Sequence, residues 1–394
     1  MDTLGNIEIV GGGRWARVLT GVICGFIDTT VNLTIYSPGN AAGMREWADN
    51  NFKHHSILVQ TELPLKFTGK SNPVIVVNAA SSHEHAVIKA LDAGGAVLVE
   101  KPMSLSYDAS RRMIAHALSK GKPLHTAHVF LFARFFINFT RLVAEAGPLS
   151  EIRVTWIDPK IESRYGEAKQ YDASLPVFTD WLPHVLSMID ALNPGASLNC
   201  KYATCSRGGA TVNLEIQSGN TPCKISLSRN GGERKRYFEI EAGGKWLTLD
   251  FSTEPGIITN GDEKIDGDAE WETAERPLAT MLKAFFKGVA ENNYDTRFSP
   301  EIGLKATKVI GEVMAIYRPE QLQWLAEELK LRKPLADDTR YAVVEIFSGN
   351  FESSAVQSRV ERFEEAILSA AAERQLALFK EQKSLGTLVQ IASI

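Results

Sequence analysis

The sequence predicts an α/β protein of two domains with a helical C-terminal extension, on three observations. Short apolar runs alternate with helical spacing over residues 5–127; strand-like runs follow one another across short Gly, Asn or Ser turns over residues 150–251; helical spacing returns from Pro277 onward. Alternation of strand and helix builds a parallel sheet covered on both faces, whereas consecutive strands with short turns build a mainly antiparallel one. The expected division is therefore 1–127, 128–317 and 318–394.

Each element follows from local pattern. Ile7 to Val10, Leu33 to Tyr36, Val74 to Asn78, Ala96 to Val99 and Leu124 to Ala127 are short apolar runs that read as strands of the first domain, with helices over His83 to Ala93 and Ala109 to Lys120. In the second domain Ile152 to Ile157, Cys200 to Ser206, Thr211 to Ile216, Cys223 to Ser228, Tyr237 to Glu241 and Trp246 to Phe251 read as strands of an open sheet, with turns at Gly219-Asn220 and Gly243-Gly244. Pro277 to Tyr317 is helical. Pro319 to Ala371, and on to Lys383, reads largely as charged amphipathic helix, with apolar faces at Trp324, Leu325 and Leu329 and at Val360, Phe363, Ile367 and Ala370.

Composition narrows the classes of function. The 394 residues supply length for more than one core, and 44% apolar with 23% charged residues excludes a disordered or membrane-embedded chain. A net charge of -4 leaves no basic excess for nucleic acid or an anionic membrane, so the expected partner is a small molecule. Cys24, Cys200, Cys205 and Cys223 form no CxxC pair and no His/Cys cluster, which suggests neither a disulfide framework nor a metal site. The start Met1-Asp2-Thr3-Leu4 lacks the basic and apolar regions of a signal peptide, and a reducing cytoplasm is the expected location.

The first motif is Gly11-Gly12-Gly13-Arg14-Trp15-Ala16, a GxGxxA pattern directly after the first strand and opening a helix. Its glycines permit a tight turn and close approach of backbone amides to a pyrophosphate, so Gly11, Gly13, Arg14, Trp15 and Ala16 are expected to contact a dinucleotide. The second strand ends in Tyr36-Ser37-Pro38-Gly39-Asn40, without the acid that usually holds a free ribose hydroxyl. Ser37, Asn40 and Arg45 point instead to a 2′-phosphate and hence to NADP(H), with NAD(H) as the alternative; a solvated helix position is the plainer account of Arg45.

The third motif is Val74-Ile75-Val76-Val77-Asn78-Ala79-Ala80-Ser81-Ser82-His83, a helix, Ala93-Gly94-Gly95, the strand Ala96 to Val99, and Glu100-Lys101-Pro102. Charged residues at the carboxyl end of a buried parallel strand lie where open α/β sheets bind ligands. This spaced series resembles the glucose-fructose oxidoreductase / inositol dehydrogenase / rhizopine catabolism (Gfo/Idh/MocA) family over about residues 5–317. The resemblance implies a Rossmann domain with Ala79, His83, Glu100 and Lys101 at the dinucleotide, a lysine that polarises the reacting hydroxyl or carbonyl at Lys101, and unusual backbone geometry at Pro102.

The family also carries an aspartate and a histidine four residues apart on a helix of the substrate domain, matched here by Asp180 and His184. That spacing sets both on one helical face. Leu182, Pro183 and Ser187 depart from the family's glycine, preceding residue and following aspartate, which bears on the shape of the substrate. Chemically, His184 can carry the proton that accompanies hydride transfer, Asp180 can orient the substrate or tune His184, and Lys101 can stabilise alkoxide character.

Plainer roles exist for each: capping or burial for His184, and a surface ion pair with Glu100 for Lys101. His125 and His128 lie near a strand end and suit the cleft or the core, Arg134-Phe135 resembles the family's entry into the second domain, and Trp181 suits a substrate platform or core packing. The expected activity is NADP(H)-dependent hydride transfer to or from a sugar, polyol or keto-sugar. Imine reduction of a biosynthetic intermediate and dinucleotide binding without turnover are the alternatives. The family's habit of pairing through its open sheet implies a homo-oligomer.

Overall fold

The computed structural model describes residues 6–68, 72–159, 163–164, 167–168, 176–206, 211–328, 341–348 and 387–393. They form two compact units, one of residues 1–145, 183–196 and 265–311, the other of 146–182, 197–264 and 312–394. The first unit thus takes in more than the segment 1–127, because the helices after the sheet pack back onto it.

The first unit is built on a six-stranded parallel sheet of order β3-β2-β1-β4-β5-β6. In chain order its elements are β1 (Asn6–Val10), α1 (Arg14–Cys24), β2 (Asn32–Tyr36), α2 (Ala41–Asn51), β3 (Ile57–Gln60), β4 (Pro73–Val76), α3 (His83–Asp92), β5 (Ala96–Val99), α4 (Tyr107–Lys120) and β6 (Leu124–Thr126). A short 3₁₀ turn, Val129–Phe132, then leads into α5 (Arg134–Ala146).

β4 and β5 are buried at every position, as parallel strands covered on both faces must be. Val74, Val76, Val97 and Val99 join Val87, Leu91, Met113 and Leu124 in one core. Each fully buried side chain of this kind contributes about 1.5–3 kcal/mol relative to exposure. α4 is bounded as its sequence dictates: the Ser106 hydroxyl accepts the Ala109 amide at its start, and Gly121 takes the left-handed conformation (φ 59°) at its end.

The second unit is built on an eight-stranded sheet of order β10-β11-β12-β7-β13-β14-β15-β16. Its strands are β7 (Leu149–Pro159), β10 (Leu198–Ser206), β11 (Thr211–Ser218), β12 (Thr221–Gly231), β13 (Lys235–Ala242), β14 (Lys245–Asp250), β15 (Ile257–Asn260) and β16 (Glu263–Asp266), with β8 (Ser163–Arg164) and β9 (Glu167–Ala168) forming a separate pair. β7 and β12 run parallel and the other pairings described are antiparallel. Alternate residues of β11 and β13 are buried, the period expected of a sheet with one covered face. On that face the buried Arg236 guanidinium donates to both carboxylate oxygens of Asp158 (2.8 and 3.0 Å) and lies over the Trp156 ring.

Helix α6 (Val177–Leu192) starts in the second unit and ends in the first; α7 is Pro277–Glu291 and α8 is Pro300–Glu328. The extension departs from its expected helix. Tyr341–Ser348 (β17) and Thr387–Ser393 (β18) pair as antiparallel strands, in keeping with the strand propensity of their β-branched and aromatic residues. The apolar stripe at Val360, Phe363, Ile367 and Ala370, and Leu329, lie outside the described residues. Among the described residues no helix is long and apolar enough to cross a membrane.

Candidate active site

The candidate site is assembled at the carboxyl ends of the parallel strands in the first unit. Gly11 follows β1 with φ 147°, and a Cβ there would meet Val77 C and O at 2.9 Å, so only glycine fits between β1 and the chain leaving β4. Gly13 is open, with nothing within 4 Å of a Cβ, and caps α1 without a side-chain hydrogen bond or an acid in the first turn. An anion is therefore unopposed at the positive end of α1. Arg14 and Trp15 are half-buried around this turn, and Ala16 is buried beneath it.

Ser37 and Asn40 are brought to the same turn. The buried Ser37 side chain sits over Gly12 where a Cβ would clash at 1.8 Å, and Asn40 Nδ2 donates to the Gly12 carbonyl (3.2 Å). Both therefore brace the glycine turn. Arg45 is exposed and donates to the Val59 carbonyl on β3 (3.0 Å). Tyr36 closes β2 with its hydroxyl bonded to Glu8 Oε2, and burial raises the pKa of that carboxyl above the usual range.

The lysine turn leaves β5. The Lys101 amide donates to the Glu100 carboxylate (3.2 Å), and the Lys101-Pro102 peptide is cis, the unusual geometry expected at this proline. His83, buried at the start of α3, sets Nδ1 2.9 Å from the Pro102 carbonyl and Nε2 3.1 Å from the Asn78 carbonyl. Burial holds its imidazole below the ordinary pKa. Ala79 is exposed beside it.

β6 supplies the third edge. His125 lies against the ring of Tyr294 (4.2 Å between centroids), and His128 is buried with both ring nitrogens lacking a hydrogen-bond partner. Desolvation lowers their pKa values to about 4 and about 3, so both are neutral. From the following turn Phe130 meets the half-buried His184 edge-on, with centroids 5.1 Å apart and planes at 88°. Ser187, which stands at the family's aspartate position, donates to the His184 carbonyl (2.8 Å) and is buried. Asp180 is half-buried one turn earlier on α6, in the part that belongs to the second unit; Trp181 is buried.

The contacts of Phe130 and the brace of Ser37 and Asn40 were not legible in sequence, since both depend on long-range packing. Arg134 binds Asp268 through Nε (3.0 Å), which makes it a structural tie. Among the described residues no cluster of three His, Cys, Asp or Glu suits a metal ion.

A parallel sheet with a glycine turn after β1 and an open α1 terminus defines a dinucleotide-binding domain of Rossmann type. Residues 6–128 match the model of the Gfo/Idh/MocA oxidoreductase family, an NAD-binding Rossmann fold. The chain is 39% identical over 174 residues to biliverdin reductase A of Mus musculus, a match that covers 42% of this chain and 54% of the mouse protein. It spans about half or less of the length of the human and mouse biliverdin reductases it matches.

Solved structures share the fold. UDP-N-acetylglucosamine 3-dehydrogenase GnnA from Acidithiobacillus ferrooxidans superposes with a TM-score of 0.63 at 17% identity, over 79% of this chain and 97% of its own. The 3-ketoreductase KijD10 from Actinomadura kijaniata, in complex with TDP-benzene and NADP, gives 0.63 at 17% identity over 78% of this chain and 96% of its own.

Proposed function

We propose that this protein is an NADP(H)-dependent oxidoreductase that moves hydride between the nicotinamide and a sugar, polyol or keto-sugar. The observation that carries this reading is the placement of the Gly11 turn and the Lys101 turn at the carboxyl ends of adjacent strands, β1–β4 and β5, in one sheet. The nicotinamide, when bound, supplies or accepts the hydride. Lys101 holds positive charge where alkoxide character develops, and His184 gives or takes the proton on the reacting oxygen. Asp180, one helical turn before His184, orients the substrate or the imidazole.

NADP(H) is favoured because β2 ends without a carboxylate, and because Ser37 and Asn40 present polar groups there with Arg45 beyond them on α2. The complex of KijD10 with NADP supports the same choice. The setting is a reducing cytoplasm, and the working form is a homo-oligomer. The test mixes the protein with NADPH or NADH and a panel of aldoses, keto-sugars, cyclic imines and biliverdin, and follows nicotinamide absorbance. Oxidation of NADPH by a keto-sugar is the expected result, and its absence across all sugars overturns the proposal.

The biliverdin reductase matches favour a second reading, reduction of a conjugated C=N-containing intermediate. Turnover confined to the imine or biliverdin wells of the same panel selects it.

A further inference from the structure

His83 lies between two backbone segments that the proposed reaction needs in fixed relation. On one side is Asn78, whose carbonyl is 3.1 Å from Nε2; the Val77–Asn78 peptide is also the wall against which Gly11 packs, with a Cβ at Gly11 lying 3.0 Å from the Asn78 nitrogen. On the other side is Pro102, whose carbonyl is 2.9 Å from Nδ1 and which directly follows Lys101. The imidazole is 1% exposed, so water does not substitute for either contact. The Lys101 amide is meanwhile held by Glu100, and the Glu100 amide by the Val76 carbonyl (2.9 Å). The Glu100 tether runs back along β4 and β5, whereas His83 reaches across to the support of the glycine turn.

We infer that His83 is a positioning residue for Lys101, fixing the separation between the dinucleotide turn and the lysine that meets the substrate, an inference that rests on the reading of Lys101 given above. A contact with the dinucleotide, the role the family resemblance implied, is not required of it: both ring nitrogens already face protein carbonyls. A neutral ring donates to one of these carbonyls at a time, and its fit depends on shape as well as on the proton. Phenylalanine keeps the volume and removes both polar contacts, asparagine is too short to reach both carbonyls, and glutamine retains a donor on a longer stem.

The test is a double-mutant cycle on the full chain, with NADPH as dinucleotide and the best carbonyl substrate from the panel, joined to labelling of Lys101 by trinitrobenzenesulfonate read by mass spectrometry against the other lysines. In His83→Phe, NADPH affinity is expected to stay near the native value while turnover falls by about 100-fold, the loss typical of a reacting group displaced by about 1 Å. Lys101 labelling, and its protection by NADPH, shift away from the native rate. His83→Gln moves both readouts back, and in a Lys101→Ala background His83→Phe adds no further loss.

Native labelling of Lys101 in His83→Phe, or a full further loss in the Lys101→Ala background, overturns the inference. His83→Asn takes the place of the phenylalanine variant should the latter fail to fold. If Lys101→Ala itself turns over normally, the reading of Lys101 fails, and the labelling readout alone then decides whether His83 positions the lysine.

Discussion

The Tyr36 hydroxyl donates to Glu8 Oε2 across 2.9 Å, and both side chains are buried. The carboxyl that Tyr36 meets at the end of β2 is thus buried on β1, with its pKa raised by burial. On the proposed reading, the polar groups of Ser37, Asn40 and Arg45 are the ones that meet the adenosine ribose.

NADP(H) is expected to bind more tightly than NAD(H). Arg45 is exposed and already bonded to the Val59 carbonyl, so its charge is screened. Arg45→Ala should reduce the preference by on the order of 1 kcal/mol, less than a desolvated phosphate contact would lose. Dissociation constants for both cofactors, before and after the substitution, check this; equal native affinities would refute it.

Lys101→Ala and His184→Ala should each lower turnover at least ~100-fold with NADPH affinity kept, as expected when a charge-stabilising or proton-transferring group is removed. Steady-state rates beside a binding titration measure it. Normal turnover in both variants would end the proposed mechanism.

Gly11→Ala and Gly13→Ala should separate. The first forces a Cβ onto the Val77 backbone at a φ of 147°, at a cost of about 1–3 kcal/mol, and should lower the melting temperature. The second enters open space and should melt as the native protein does, while losing NADPH affinity through steric conflict with the pyrophosphate. Calorimetry with and without NADPH distinguishes the two.

Stability should fall on mild acidification. Burial holds the folded pKa values of His125 and His128 below the ordinary 6.5, at about 4 and about 3. The stability this neutral state represents is fully present above pH 6.5 and is lost as pH falls toward those values. Once the unfolded imidazoles are protonated, each histidine removes about 1.4 kcal/mol per pH unit. Denaturant unfolding at pH 7, 6 and 5 measures the slope, and His128→Leu should flatten it; an unchanged slope in that variant would count against the assignment.

Removing the extension after Glu328 should leave both units folded and lower the number of copies per particle in solution, as a tail that takes part in assembly requires. The cut keeps Glu320, which accepts the Cys205 amide. A folded truncation with the native number of copies per particle would assign assembly elsewhere.

The parallel sheet was legible because β4 and β5 are buried on both faces and must read as unbroken apolar runs. β3 was not: Ile57–Gln60 is an edge strand with only Val59 buried, so its sequence carries little pattern. The glycine turn after β1 and the shared helix of Asp180 and His184 were legible through spacing, and the unusual geometry at Pro102 through the family resemblance. The orientation of His83 was not, since a histidine at the start of a helix gives no sign of which carbonyls it will reach. β17 was misjudged because the charged, helix-like text around it outweighed the β-branched and aromatic residues of Tyr341–Ser348.

Among the described residues β10 is paired with a strand on one side alone, and on its other side two amides are occupied: the Cys200 amide donates to Glu312 (2.7 Å) and the Cys205 amide to Glu320 (3.3 Å), both on α8. The irregularity between Cys200 and Tyr202 turns both amides to that side. A bare strand edge is a template on which another chain can add its own strand. Here two carboxylates, eight residues apart on one helix, already occupy two of the amides that an added strand would use. Replacing both acids by alanine is expected to free these two amides for strand addition, an outcome that light scattering beside the native protein would detect.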